Sequence, residues 1–257
     1  MQYPLVISQE FFQASEIVKN IPKFVLRLKT FFSTNDLPSD IKAPRYKEVK
    51  RYIESISYPN FRETLVVVPA GLNIPLIDYI PLLEEGVEIN QRLLTQILKP
   101  FDRWLGQLLS HPEHLRTLAG NRSLMSFEPS DINDVKLNFE QTFLKGSTIY
   151  ERLAKEVFRN NSEVKLVFDL TESLVKDFNQ INRIEIIKQV DDIASNLGQL
   201  MNRYSEGDTE YQFGHRANEL LSKIVFSMAQ EVEFYGFMNY QLKQLTVALD
   251  TNVNKWK

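Results

Sequence analysis

All eleven prolines of the chain lie at or before Pro129. Proline removes a backbone donor and clashes with the preceding turn, so only the second half is free to hold long uninterrupted helices. The residues there carry the matching pattern. From Ile187, apolar side chains fall at Val190, Ala194, Leu197, Met201 and Tyr204, in steps of three and four. Beyond the polar stretch 205–208, Leu221, Met228, Tyr235, Leu242 and Leu249 recur every seven residues, with Ile224, Met238 and Leu245 on a companion position. That spacing is the seam of a coiled coil or long helical hairpin, and it predicts two arms over 163–249. An arm of about 40 residues would be roughly 60 Å long.

The first half is punctuated differently. Ser8 can cap a helix carrying Phe11, Phe12, Ile17 and Val18, and Pro22 opens a second over 23–32. A third, strongly charged helix is expected over 45–56. The segment 64–83 is nearly all apolar over about the length that crosses a bilayer. A membrane helix is rejected because Pro69, Gly71, Pro75 and Pro81 interrupt it and Asp78 is costly in lipid. Leu65 to Val68 reads as a strand, and the remainder as an extended or single-turn segment pressed into a core. A helix should run from Glu88 to Ser110, kinked or divided at Pro100. Another is expected from Ser130 to Leu144, although Val135, Leu137 and Phe139 also alternate as a strand would. Thr148–Glu151 has the form of a capping box opening a helix to about Phe158. The fold expected is therefore mainly α: a helical region over 1–128 with at most a small strand element, then a helical domain over 129–257.

Motifs exclude several chemistries. The chain has no cysteine, which removes disulfides, thiolate catalysis and cysteine-ligated metal. None of the nine glycines precedes a lysine, and no phosphate-cradling Gly-rich loop, Gly-x-Ser-x-Gly elbow or His-Glu-x-x-His helix occurs. His111 and His114 flank Pro112 at a helix start with no third ligand indicated, and His215 with Glu219 reads as a surface pair. The acidic run at Glu206, Asp208 and Glu210 lacks the glycine and the twelfth-position acid of a calcium loop. No catalytic residue, metal, cofactor or small-molecule substrate is expected. The N-terminus lacks the basic leader and long apolar run of a signal peptide, which fits a reducing interior or an assembled particle.

Charge is uneven. Net charge is −3, yet 19–51 carries +6 and the remainder −9. Lys23, Arg27, Lys29, Arg45, Lys47, Lys50 and Arg51 are interleaved with Phe24, Phe31, Phe32 and Tyr46. Such a stretch can bind nucleic-acid backbone and stack bases, or dock on an acidic protein surface.

Around 232–242, apolar residues go most of the way round the helix. Phe234 and Phe237 lie off the seam, as do Phe226 and Phe168, with Tyr240 alongside and Trp256 near the end. A two-helix hairpin buries one stripe. Phe226, Phe234, Phe237, Tyr240 and Trp256 are thus the expected partner-binding residues. The reading that follows is a non-enzymatic assembly component packing against other subunits, homo- or hetero-oligomeric. In general organisation, though on no single motif, it resembles components of assembled particles such as tailed-phage virion proteins. The alternatives are a nucleic-acid-associated protein and a helical enzyme with dispersed acids and histidines.

Overall fold

The computed structural model describes residues 23, 26, 40–45, 47, 48, 50, 65–69, 71–111, 129–143, 155–158, 160–205 and 215–256. The protein is mainly α, as the periodicities require. Six helices are described: α1 (Leu76–Arg92), α2 (Lys99–Ser110), α3 (Pro129–Gln141), α4 (Asn161–Asn179), α5 (Arg183–Ser205) and α6 (His215–Trp256). A π-helical turn, Leu93–Leu98, joins α1 to α2. Strands β1 (Leu65–Val67) and β2 (Lys155–Val157) form an antiparallel ribbon, with Leu65 opposite Val157 and Val67 opposite Lys155. None of the described helices is long and apolar enough to cross a membrane.

Three local expectations are corrected. The stretch after Gly71 is helical from Leu76, not extended. Leu76, Tyr79, Ile80, Leu83 and Val87 form its buried face, while Pro81, Glu84, Glu85 and Glu88 are exposed. Pro81 is tolerated inside α1 because it faces solvent, where the carbonyl it leaves without an amide donor can reach water. The expected helix up to Phe158 is a strand over Lys155–Val157, held by pairing with a segment some ninety residues away; the capping-box residues themselves lie outside the described residues. The first arm of the expected hairpin is two helices. Asn182 ends the run by capping α5, its Oδ1 accepting the Glu185 N–H at 3.1 Å. The turn between α5 and α6 lies outside the described residues, as do the expected helix around Ser8 and most of 23–32 and 45–56.

The helix expected to begin at Glu88 begins at Leu76 and gives way to the π turn at Leu93; three other expectations agree with the structure in detail. Pro100 occupies the start of α2, where no N–H is needed, and the helix changes type immediately before it. Helix α3 settles the Val135/Leu137/Phe139 ambiguity: Val135 and Phe139 are buried while Leu137 is 52% exposed, as a turn of 3.6 residues demands. Helix α4 starts at Asn160, whose Oδ1 accepts the Glu163 N–H at 3.0 Å. Its buried face is Val164, Val167, Phe168, Thr171, Leu174, Val175 and Phe178, each apolar side chain contributing on the order of 2 kcal/mol. Phe168 therefore belongs to this stripe and needs no outside partner.

The chain groups into two units. One takes in 1–37, 90–132 and 181–235; the other 38–89, 133–180 and 236–257. In the first unit, α5 lies against α2 and the π turn, burying Ile186, Val190, Ile193 and Leu197 on one side and Leu93, Ile97, Phe101, Trp104, Leu105 and Leu108 on the other. Asn196 Nδ2 donates to Asp102 Oδ1 at 2.8 Å across that contact, and Lys99 pairs with Glu185.

The second unit takes in most of α1. Leu72 bridges to Phe143, after a turn closed by Leu72 N–H to Pro69 C=O at 3.2 Å. Gly71 there has φ 79°, a conformation costly for a residue with a Cβ. Tyr79 contacts the rings of Phe139 and Phe143 edge-on, at 6.1 and 5.8 Å. Asn179 holds the 40–45 segment by accepting the Ile41 N–H at 3.1 Å and donating to its carbonyl at 2.8 Å.

Candidate interaction surface

Helix α6 is the longest of the described elements, 42 residues. Its seven-residue repeat is buried as expected: Leu221, Met228, Tyr235, Leu242 and Leu249, with Ile224, Met238 and Leu245. Burial extends well beyond one stripe, to Val225, Ala229, Val232, Phe234, Ala248 and Val253. This helix is enclosed on most of its circumference by its own chain, which answers much of the apolar excess read from the sequence.

The five expected partner-binding residues separate accordingly. Phe234 is 2% exposed and is a core residue, which corrects its assignment to a partner surface. Phe226 and Phe237 are half-buried. The Phe237 ring meets Phe139 edge-on at 5.3 Å, so one side of it is already packed. Tyr240 is 39% exposed and, one heptad on, Val247 is 61% exposed. Trp256 closes α6, with its side chain outside the described residues.

The open part of α6 includes a line of residues, beside which Lys223, Gly236, Lys243 and Asp250 are also half-buried or exposed. Phe226, Gln230, Glu233, Phe237, Tyr240, Gln244, Val247 and Thr251 are all half-buried or exposed. Their spacing alternates four and three, so they share one face of a continuous helix. Val247 was not singled out in the sequence because it lies between the seam residues Leu245 and Leu249, and only its exposure in the structure distinguishes it.

Lys23 belongs to the first unit and Arg45, Lys47 and Lys50 to the second; all four are exposed. Arg45 is engaged within its own unit. Its backbone N–H donates to Asp250 Oδ1 at 3.0 Å, and its guanidinium lies 3.5 Å from the same oxygen and 3.8 Å from Glu48. Arg27, Lys29 and Arg51 lie outside the described residues.

Polar side chains are also buried on apolar faces. Glu231 takes the seam position between Ile224 and Met238 and is fully buried, as are Asn90 and Asn252. Periodicity alone cannot see such residues, because a polar side chain on an apolar stripe reads as an interruption. His111 is exposed at the end of α2; His114 and the 206–210 carboxylates lie outside the described residues, and so does the His215 side chain. Among the described residues, no three His, Asp or Glu side chains are grouped as a metal site requires. No known protein family matches the chain, and neither a curated protein nor a solved structure does.

Proposed function

We propose that this protein is a non-enzymatic assembly component that packs against other protein subunits through the open face of α6. The observation that carries the reading is the placement of Tyr240 and Val247, 39% and 61% exposed, on a helix otherwise enclosed on most sides. Large apolar side chains exposed singly are ordinary, but a line of them at coiled-coil spacing is the geometry by which one helix receives another. A virion or other multi-subunit particle is the setting such a surface suits. Replacing Tyr240 and Val247 together by Asp tests it. The expected result is loss of association with a melting temperature within a few degrees of wild type, since neither side chain is in the core. Unchanged mass and unchanged partner content, measured by light scattering and native mass spectrometry, would remove the reading.

A second reading, nucleic-acid association, is favoured by the exposure of Lys23, Lys47 and Lys50. Binding to a labelled duplex or single strand that weakens steeply with added salt supports it, and no binding at low salt excludes it.

A further inference from the structure

Residues 40–45 run without helix or strand inside the second unit and are tied to two of its helices. Ile41 and Pro44 are buried, while Lys42 and Arg45 are exposed. At one end, Asn179, the last residue of α4, binds both backbone groups of Ile41 at 3.1 and 2.8 Å. At the other, Asp250 Oδ1 accepts the Arg45 N–H at 3.0 Å and lies 3.5 Å from the Arg45 Nε. Asp250 is in the last two turns of α6. The segment is therefore a strap from the end of α4 to the end of α6.

The two attachments differ in kind. The Asn179 end is made of uncharged groups and is part-buried. The Arg45 end carries charge, with the side chains of Arg45 and Asp250 40% and 32% exposed. Salt screens exposed charges within about 10 Å and leaves an amide clamp untouched. Arg45 also has a second carboxylate close by. Glu48 Oε2 lies 3.8 Å from the Arg45 Nη1, and the Glu48 N–H donates to the Arg45 carbonyl at 3.0 Å. That turn is local, so Glu48 travels with Arg45. The guanidinium is shared between one acid fixed on α6 and one carried by the strap itself. Lifting the strap gives up the first and keeps the second, which lowers the cost of opening. The other exposed charges of the segment, Asp40, Lys42 and Lys47, move with it. On α6, Lys243 is seven residues from Asp250, roughly 10 Å along the axis, and is largely screened.

We infer that residues 40–45 form a salt-sensitive strap that opens from Arg45 and stays hinged at Asn179, with Glu48 taking over the guanidinium from Asp250. Asp250 is one turn beyond Val247, which is 61% exposed, so opening widens the uncovered surface at that end of α6. The device needs no partner and stands whether or not α6 takes part in assembly.

Hydrogen exchange of the full chain, followed amide by amide by NMR at about 0.05 M and about 0.5 M sodium chloride, tests it. The Arg45 amide should exchange about twofold to fivefold faster at the higher salt, the range set by an exposed ion pair, while the Ile41 amide is unchanged. Asp250→Asn keeps an oxygen for the Arg45 N–H and removes the charge. Its Arg45 amide should exchange fast at low salt already and show no further response. Glu48→Gln removes the acid that receives the guanidinium on opening and should slow exchange at Arg45 about twofold. An ion pair that merely supports the segment predicts the opposite sign. The strap is overturned if the Arg45 and Ile41 amides respond together, if salt changes neither, or if Glu48→Gln leaves exchange at Arg45 unchanged or faster.

Discussion

The Tyr79 hydroxyl donates a hydrogen bond to Gln241 Oε1 at 2.9 Å, joining residues 162 positions apart inside the second unit. Both side chains are buried. The tyrosine ring is held between Phe139 and Phe143, so the bond fixes the register of α6 against α1 as well as satisfying two polar groups. Tyr79→Phe leaves Gln241 Oε1 without that donor and should cost about 1–3 kcal/mol in chemical denaturation. Adding Gln241→Leu should recover part of the loss, because the stranded amide is then gone.

Burial, and secondarily the neighbouring Tyr240 phenol, push the Tyr79 phenol well above its ordinary range. The unfolded chain releases this proton near pH 10 while the folded chain keeps it. The folded state therefore binds more protons above that pH, and the contribution of Tyr79 to stability, complete below about pH 10, is lost as pH rises further. The loss approaches about 1.4 kcal/mol per pH unit. Denaturation midpoints measured from pH 8 to 11 should fall more steeply for wild type than for Tyr79→Phe. Parallel curves would show that the phenol is not held protonated.

Gly86 of α1 packs against Met238 of α6 in the second unit. A Cβ placed there would lie 2.7 Å from Met238 Cε and in contact with its sulfur. Alanine is the better helix former by about 1 kcal/mol, yet Gly86→Ala should destabilise by roughly 1–3 kcal/mol, because Met238 must move within a filled core. The flexible thioether absorbs part of the clash. A stabilised Gly86→Ala protein would mean that the two helices separate freely.

Asn179 binds both backbone groups of Ile41. Asn179→Ala should cost about 1–2 kcal/mol and release the 40–45 segment before the helices melt. Hydrogen exchange would show it as faster exchange of the Ile41 amide with α4 amides unchanged. Equal acceleration throughout α4 would indicate instead that Asn179 supports the helix itself.

Position on α6 should decide the outcome of one chemical change. Met238→Asp and Phe234→Asp place an unpaired carboxylate in the core and should unfold the protein or cost more than about 3 kcal/mol. Phe237→Asp should cost less, since Phe237 is half-buried where Met238 and Phe234 are buried. Tyr240→Asp should leave the melt nearly unchanged. Circular dichroism melts of the four variants give the order directly, and an equal effect at positions 238 and 240 would contradict the burial pattern.

The sequence by itself determined the helices of the second half. The absence of proline after Pro129 permitted them, and the periodic steps on α5 and α6 selected buried faces there, while the face of α4 that buries Phe168 was not read. These are local properties, set by residues within two turns of each other. It also determined that Pro100 would mark a discontinuity. What tertiary structure decided was everything that depends on residues distant in the chain. β2 exists because β1 is there to pair with it. Phe234 is core and Tyr240 is surface although both are aromatics on the same helix, because which sides of α6 are covered depends on elements more than a hundred residues away. Excess apolar surface on a helix states that something must cover it; only the packed chain shows how much of that covering it supplies itself, and which residues, the line from Phe226 to Thr251 among them, it leaves open.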